Sequence, residues 1–232
     1  MQKETKARRT RSDKEIIKFT ERDQELLRLV GEQYTLRLDQ LQFQMCCSTS
    51  SAQQWMTRQR EAGYLRFAPI LYKQTTYMWL TRTGLRQAGL EYGAWEPTPG
   101  NLDHLRSITE MRLWFARNRP SYNWVPEREI QFWLRQQGPR ERTIHVPDAK
   151  IIVPNGAVIG LEVELNPKSR ARTTDIMDLL LCDYAAAWYY VAPAARAIVD
   201  AARSDLHANV RERIHVDDLR HVTCDATARA EA

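Results

Sequence analysis

Residues 144–166 read IHVPDAKIIVPNGAVIGLEVELN. Apolar runs at 151–153 and 157–165 flank Pro154, Asn155 and Gly156. That tripeptide suits a three-residue hairpin loop. Proline presets the first corner of a type I turn, and glycine takes the left-handed position that closes the loop as a G1 bulge. With Val153 facing Ala157, counting outward along both strands sets Asp148 directly across from Glu162. Side chains alternate with period two, so Glu164 shares the face of Glu162. Three carboxylates therefore gather on one side of a sheet. Like charges directly opposite each other are destabilising, so a cation (Lys150, Lys168 or a divalent metal) is expected among them. A two-residue Asn-Gly turn would shift the pairing by one and turn Asp148 to the other face.

The elements around this hairpin follow from periodicity. Residues 103–118 spell an amphipathic helix with Leu105, Ile108, Leu113 and Phe115 as its apolar positions and Glu110 in its middle. Residues 124–130 read as a short extended or mixed segment, and 136–142 as a polar loop. After the hairpin, 169–187 is helical, with Ile176, Leu179, Leu180 and Tyr184 on the buried side. Residues 188–191 (WYYV) form a buried strand, 194–203 an alanine-rich helix and 213–216 (RIHV) a last strand. The tail 223–232 lacks apolar periodicity and is expected to fray.

This order, with Pro147-Asp148 followed by Glu162-Val163-Glu164, resembles the PD-(D/E)XK nuclease fold. The resemblance implies a site in which Asp148 and Glu162 hold Mg²⁺ or Mn²⁺, with no organic cofactor. The metal would polarise a phosphate and activate water. Glu110 is the candidate acid from the first helix. Where that family places a lysine two residues after the second acid, this chain has Glu164. Lys168, four residues further on, is the candidate for the displaced lysine. The competing expectation is a salt-bridge cluster in which Lys150 and Lys168 neutralise the acids without a metal.

The front of the chain has a different character. Residues 1–20, with KARRTR, read as a flexible basic arm. Residues 1–95 carry 16 Lys and Arg against 10 Asp and Glu, whereas the remainder carries 18 against 19. That bias is a nucleic-acid footprint. Leu26, Leu27, Leu29 and Val30 mark a first helix, and Leu38, Leu41 and Met45 a second. Ser48, Thr49, Ser50 and Ser51 are N-cap residues for a third over 52–62, ended by Gly63. Strands at 64–71 and 75–81, with Tyr72, Lys73 and Gln74 between them, lead to a helix at 82–90. The Gly- and Pro-rich stretch 93–100 reads as a linker. Residues 21–92 resemble a winged helix-turn-helix. The resemblance implies a third helix in the major groove of duplex DNA. Gln53, Gln54, Arg58 and Arg60 are the candidate contacts, with Arg66 and Lys73 of the wing on phosphates. Trp55, Tyr64, Tyr77 and Trp79 are expected in the core.

The chain of 232 residues is 43% hydrophobic and 27% charged, as in soluble globular proteins. No apolar run is long enough to span a bilayer, and the basic N-terminus has no secretion-signal pattern. Cys46, Cys47, Cys182 and Cys224 show neither metal nor disulfide spacing, as reduced cytoplasmic thiols would. The histidines, His104, His145, His207, His215 and His221, show no zinc spacing. On an ideal strand His145 points away from the face of Asp148. No glycine-rich phosphate loop is present.

The expected fold is therefore α+β: an N-terminal winged helix-turn-helix (21–92), a linker, and a restriction-endonuclease-like domain (101–222). The run 162–170, the Trp124/Glu127 segment before it and the helix and YYV strand after it resemble the replication-relaxation family of plasmid and integrative-element proteins. That resemblance spans 21–220 and implies DNA binding in the replication, relaxation or mobilisation of a mobile element. Duplex DNA, a second copy of the chain, and replication or transfer machinery are the candidate partners; a membrane is not. Two alternatives stand beside it. One is a winged-helix transcriptional regulator whose second half is a non-catalytic dimerisation or partner-binding module. The other is an interaction module that recruits a replication or transfer complex.

Overall fold

The computed structural model describes residues 19–73, 75–138 and 143–221. The basic arm up to residue 18, Gln74, loop residues 139–142 and the tail from 222 lie outside the described residues.

Helix α1 (Glu21–Glu32) starts in a capping box: Thr20 and Asp23 satisfy each other's backbone N–H. Strand β1 (Leu36–Arg37) runs into α2 (Leu38–Met45). Ser48 caps α3 (Thr49–Glu61), accepting from the Ser51 N–H. Strands β2 (Leu65–Ala68) and β3 (Tyr77–Leu80) form a hairpin, and Thr81 caps α4 (Arg82–Gln87). The three strands make an antiparallel sheet in the order β1-β3-β2. β1 is not expected from the sequence, because two residues carry no periodicity; pairing with β3 defines it. Leu26, Leu27 and Val30 of α1 bury against Leu41, Trp55, Met56 and Leu65.

The second half opens with α5 (Leu102–Asn118), β4 (Asn123–Pro126) and α6 (Glu127–Gln136). The mixed segment expected at 124–130 is thus the end of a strand and the start of a helix. The hairpin follows as β5 (Ala149–Ile152) and β6 (Val158–Glu164), then α7 (Arg170–Asp183), β7 (Ala186–Val191), α8 (Pro193–Asp205), a short α9 (Ala208–Arg211) and β8 (Ile214–Asp218). The sheet order is β4-β5-β6-β7-β8. Its first three strands are antiparallel neighbours, and β6, β7 and β8 run parallel. α7 and α8 make the two crossovers that parallel pairing requires.

Helices cover both faces of this sheet. Ile108, Met111 and Phe115 of α5 pack on Ile151, Leu161 and Val163. Ile176, Met177 and Leu180 of α7 and Val199 of α8 pack on Tyr189 and Val191 from the other side. A Cβ at Gly160 would meet side-chain atoms of Leu180 and Tyr184 at 3.1 Å, so glycine lets α7 lie close over β6. The chain is α+β, and among the described residues no helix is long and apolar enough to cross a membrane.

The stretch expected as a linker is packed rather than free. Trp95 lies 5.5 Å from the Tyr34 ring, and residues 99–101 form a 3-10 turn leading into α5. Leu113 of α5 belongs to the core of the first half. Arg112 pairs with Glu32 at 2.6 Å. Buried Arg128 donates to the Gly31 and Gly93 carbonyls, with its guanidinium 4.5 Å from the Tyr34 ring centre and 4.9 Å from that of Tyr92.

Candidate nucleic-acid interface and acid–histidine centre

On α3 the sequence alternates between two faces. Ala52, Trp55, Met56 and Gln59 are buried, whereas Gln53, Gln54, Arg58 and Arg60 are exposed. At 3.6 residues per turn, Gln54 and Thr57 lie opposite the buried arc, and Gln53 and Arg58 flank it on its two sides. Gln53 and Gln54 are thus free to meet a groove. Arg60 is exposed with its guanidinium 4.6 Å from the Phe67 ring centre. Arg58 instead pairs with the carboxylate of Asp23. Exposed Arg66 pairs with Glu96, and exposed Lys73 reaches over the Tyr72 ring in the wing. Of the expected core aromatics, Trp55, Tyr77 and Trp79 are buried, and Tyr64 packs partly buried against the same core.

The hairpin register is the one the turn predicts. Ile152 faces Val158 and Ala149 faces Leu161. Val153 N donates to Ala157 O at 3.0 Å, and Gly156 takes φ +85°. Asp148, one residue before β5, accepts from the Val163 N–H at 2.7 Å. Glu162 and Glu164 are both buried on the side away from α5. The three expected carboxylates therefore sit together at one end of the sheet.

Their partners differ from expectation. Lys168 pairs with Glu164, but among the described residues Lys150 makes no ion pair. Histidines take the other two acids: His104 Nε2 lies 3.0 Å from Asp148 Oδ1, and His145 Nε2 lies 3.0 Å from Glu162 Oε1. The expectation that His145 points away fails because residues 143–147 are not a strand, so strand alternation does not apply. Glu110 is not brought to the cluster. It lies six residues beyond His104, on another face of α5, and pairs with His221 at 2.6 Å and Arg106 at 3.8 Å. Glu127, at the start of α6, is the further acid present. Its N–H donates to the Asp148 carbonyl at 3.2 Å, and burial and the Asp148 charge push its carboxyl up. No local spacing signals His104, His145 or Glu127; each arrives from a separate element. Tyr189 stands beside Glu162 in the parallel register. Its hydroxyl is buried without a hydrogen-bond partner among the described residues, and burial with the nearby carboxylates pushes it far up.

The protonation of this centre has a definite sign. Burial and the Asp148 charge push Glu162 up to about 7. Burial works against a charged ring at His145 and His104, but the hydrogen bonds to Glu162 and Asp148 outweigh it and raise both. All three groups bind protons more tightly folded than unfolded. Their contribution is complete below the unfolded values and is lost as pH rises through the folded ones. We expect stability, read as the melting temperature, to fall as pH rises between about pH 5 and pH 8. Glu162→Gln should flatten that slope in calorimetry across this range. An unchanged slope in the variant would remove the buried pair as its source.

No family model matches the chain, and no curated protein matches it. Among solved structures, one described as "Multiple Antibiotic Resistance Repressor, MarR" is similar at 12% identity and a TM-score of 0.29. The match covers 53% of this chain and 79% of that one. A likeness of that size carries no argument about fold or function.

Proposed function

We propose that this chain is a duplex-DNA-binding protein that reads DNA with a winged helix-turn-helix and carries a restriction-endonuclease-like second half. The observation that carries the first part is the exposed polar face of α3 on a three-helix unit closed by the β1-β3-β2 sheet. Glutamine side chains can hydrogen-bond an adenine edge in two places, Arg60 and Lys73 supply charge for phosphates, and Arg66 would do so on leaving its exposed pair with Glu96. Support for the second part is the order of strands in the larger sheet, with Asp148 before its second strand and Glu162 on its third. A role in replication, relaxation or mobilisation of a mobile element rests on the sequence resemblance alone.

The test is selection of duplexes from a random pool, followed by affinity measurements against salt. Gln53→Ala and Gln54→Ala are expected to lower preference for the selected duplex by about 1–3 kcal/mol per lost bidentate contact. Arg60→Ala should weaken selected and random duplexes alike and make the salt slope shallower by about 0.9. Wild-type protein that binds no duplex at low salt would end this reading.

The donor set suits a divalent cation in kind. Mg²⁺ commonly takes one or two carboxylates and fills its remaining positions with water. Asp148 and Glu162 are two such carboxylates, just before β5 and on its neighbour β6, and among the described residues no group of three His, Cys, Asp or Glu side chains is set to hold a metal. The two acids would hold Mg²⁺ or Mn²⁺, which when bound would supply a Lewis acid for a phosphate oxygen. The chain's own groups partner the acids: His104 and His145 orient Asp148 and Glu162, and Lys168 pairs with Glu164, which stands at the position where the nuclease pattern has lysine.

A second reading has its own observation. His104–Asp148, His145–Glu162 and Lys168–Glu164 give each acid a hydrogen-bonded basic partner within the chain. In that reading the chain is a transcriptional regulator, and its second half serves dimerisation or partner binding. It would then protect a palindromic site with two-fold symmetry.

A further inference from the structure

Asp23 lies in the first turn of α1 and is 2% exposed. Its Oδ2 accepts from Thr20 N at 2.9 Å and Thr20 Oγ1 at 2.7 Å. Its Oδ1 accepts from Trp55 Nε1 at 2.8 Å, from Gln59 Nε2 at 3.1 Å and from the guanidinium of Arg58. The last three donors all come from α3. Positions 55, 58 and 59 form one stripe on a helix, so a single carboxylate grips α3 along the face turned to α1.

We propose that Asp23 is the positioning residue of the DNA-reading helix: it fixes the rotation of α3 about its own axis and takes up the charge of Arg58. This rests on the DNA-binding reading and assigns roles within it. One residue of rotation on a helix is about 100°, enough to carry Gln53 and Gln54 out of any groove they read. A buried anion with three donors on one stripe opposes that rotation, because turning α3 would strip a carboxylate of its bonds inside the fold. The same contact withdraws Arg58 from the phosphate inventory. Its side chain is half exposed, yet its charge is matched by Asp23. α3 would therefore read bases with glutamines and leave the phosphates to Arg60 and the wing.

The sign of the expected effects separates this role from ordinary stabilisation. Asp23→Asn keeps the shape but removes the charge. It should release Arg58 and steepen the salt slope on a random-sequence duplex by about 0.9. Affinity for random duplex should rise, and affinity for the duplex selected by wild type should fall. The ratio of the two should drop by roughly tenfold, the size of one weakened bidentate base contact. A variant that is only less stable would lose affinity for both duplexes in proportion. Arg58→Gln decides the matter if Asp23→Asn does not fold. That variant leaves Asp23 four donors, and its salt slope should equal the wild type's. A slope shallower by about 0.9 in Arg58→Gln would put Arg58 on a phosphate and overturn the proposal while leaving DNA binding intact. No duplex binding by wild type would remove both.

Discussion

Replacing Arg128 with methionine is expected to lower the melting temperature by roughly 8–16 °C, equivalent to about 4 kcal/mol in a chain of this size. The guanidinium is buried, and among the described residues it has no carboxylate in salt-bridge contact. It is held by two backbone carbonyls and two aromatic faces. Methionine keeps much of the apolar stem but strips the Gly31 and Gly93 carbonyls of their donor. An unsatisfied buried acceptor costs about 1–3 kcal/mol. Loss of the cation from between Tyr34 and Tyr92 adds about 0.5–2 kcal/mol. Burial pushes the guanidinium's pKa down, against the pull of Tyr34, Tyr92 and Glu127. Arg128→Lys should recover little, because one ammonium cannot span both carbonyls in a fixed fork. A fall smaller than about 3 °C would mean that water reaches the carbonyls and that Arg128 does not fasten the two halves.

Asp148→Ala carries the second large effect. It orphans the Val163 N–H and leaves His104 without its partner. The expected cost is about 3 kcal/mol, or roughly 6–12 °C in melting temperature, without any metal present. Mn²⁺ then separates the two readings of the second half. A cation held by Asp148 and Glu162 should stabilise wild type by about 2.7 kcal/mol at a hundred times its dissociation constant, and should leave Asp148→Ala unmoved. The gain should be larger at pH 8 than at pH 6, where raised histidine pKa values keep His104 and His145 competing as cations. If Mn²⁺ moves neither protein, the acids are a closed cluster and the regulator reading stands. Equal shifts in both would place the ion elsewhere.

The hairpin was legible because its turn chemistry and its alternation point to one register. Proline, asparagine and glycine set the loop length, and a slip by one residue would have turned Ile151 and Leu161 out of the core. α3 was legible in its caps and its buried arc. β1 was not, since two residues make a strand only through a partner forty residues away. α6 has acids in its first turn, Glu127 and Glu129, which are helix-start signals. The contiguous Phe132, Trp133 and Leu134, close after Ile130, obscure its period. In the candidate site the acids could be placed and their partners could not. His104 comes from a helix on one face of the sheet, and His145 from an irregular segment. Glu110 has the sequence signature of a site acid, in the middle of an amphipathic helix, but its position around α5 sends it to His221. Arg128 gave no sign at all, because its contacts are carbonyls and rings spread over a hundred residues of sequence.

Leu113 of α5 fills space in the core built mainly by residues 26–90. That placement bears on how the chain is made. During synthesis, domains usually fold as they emerge, N-terminal portion first. Here the first portion would leave the ribosome with a gap in its core and with the Gly31 carbonyl unanswered until Leu113 and Arg128 follow. A fragment ending at residue 100 would lack Leu113 from its core and Arg128 from the Gly31 carbonyl, and should be less stable than the same residues in the full chain.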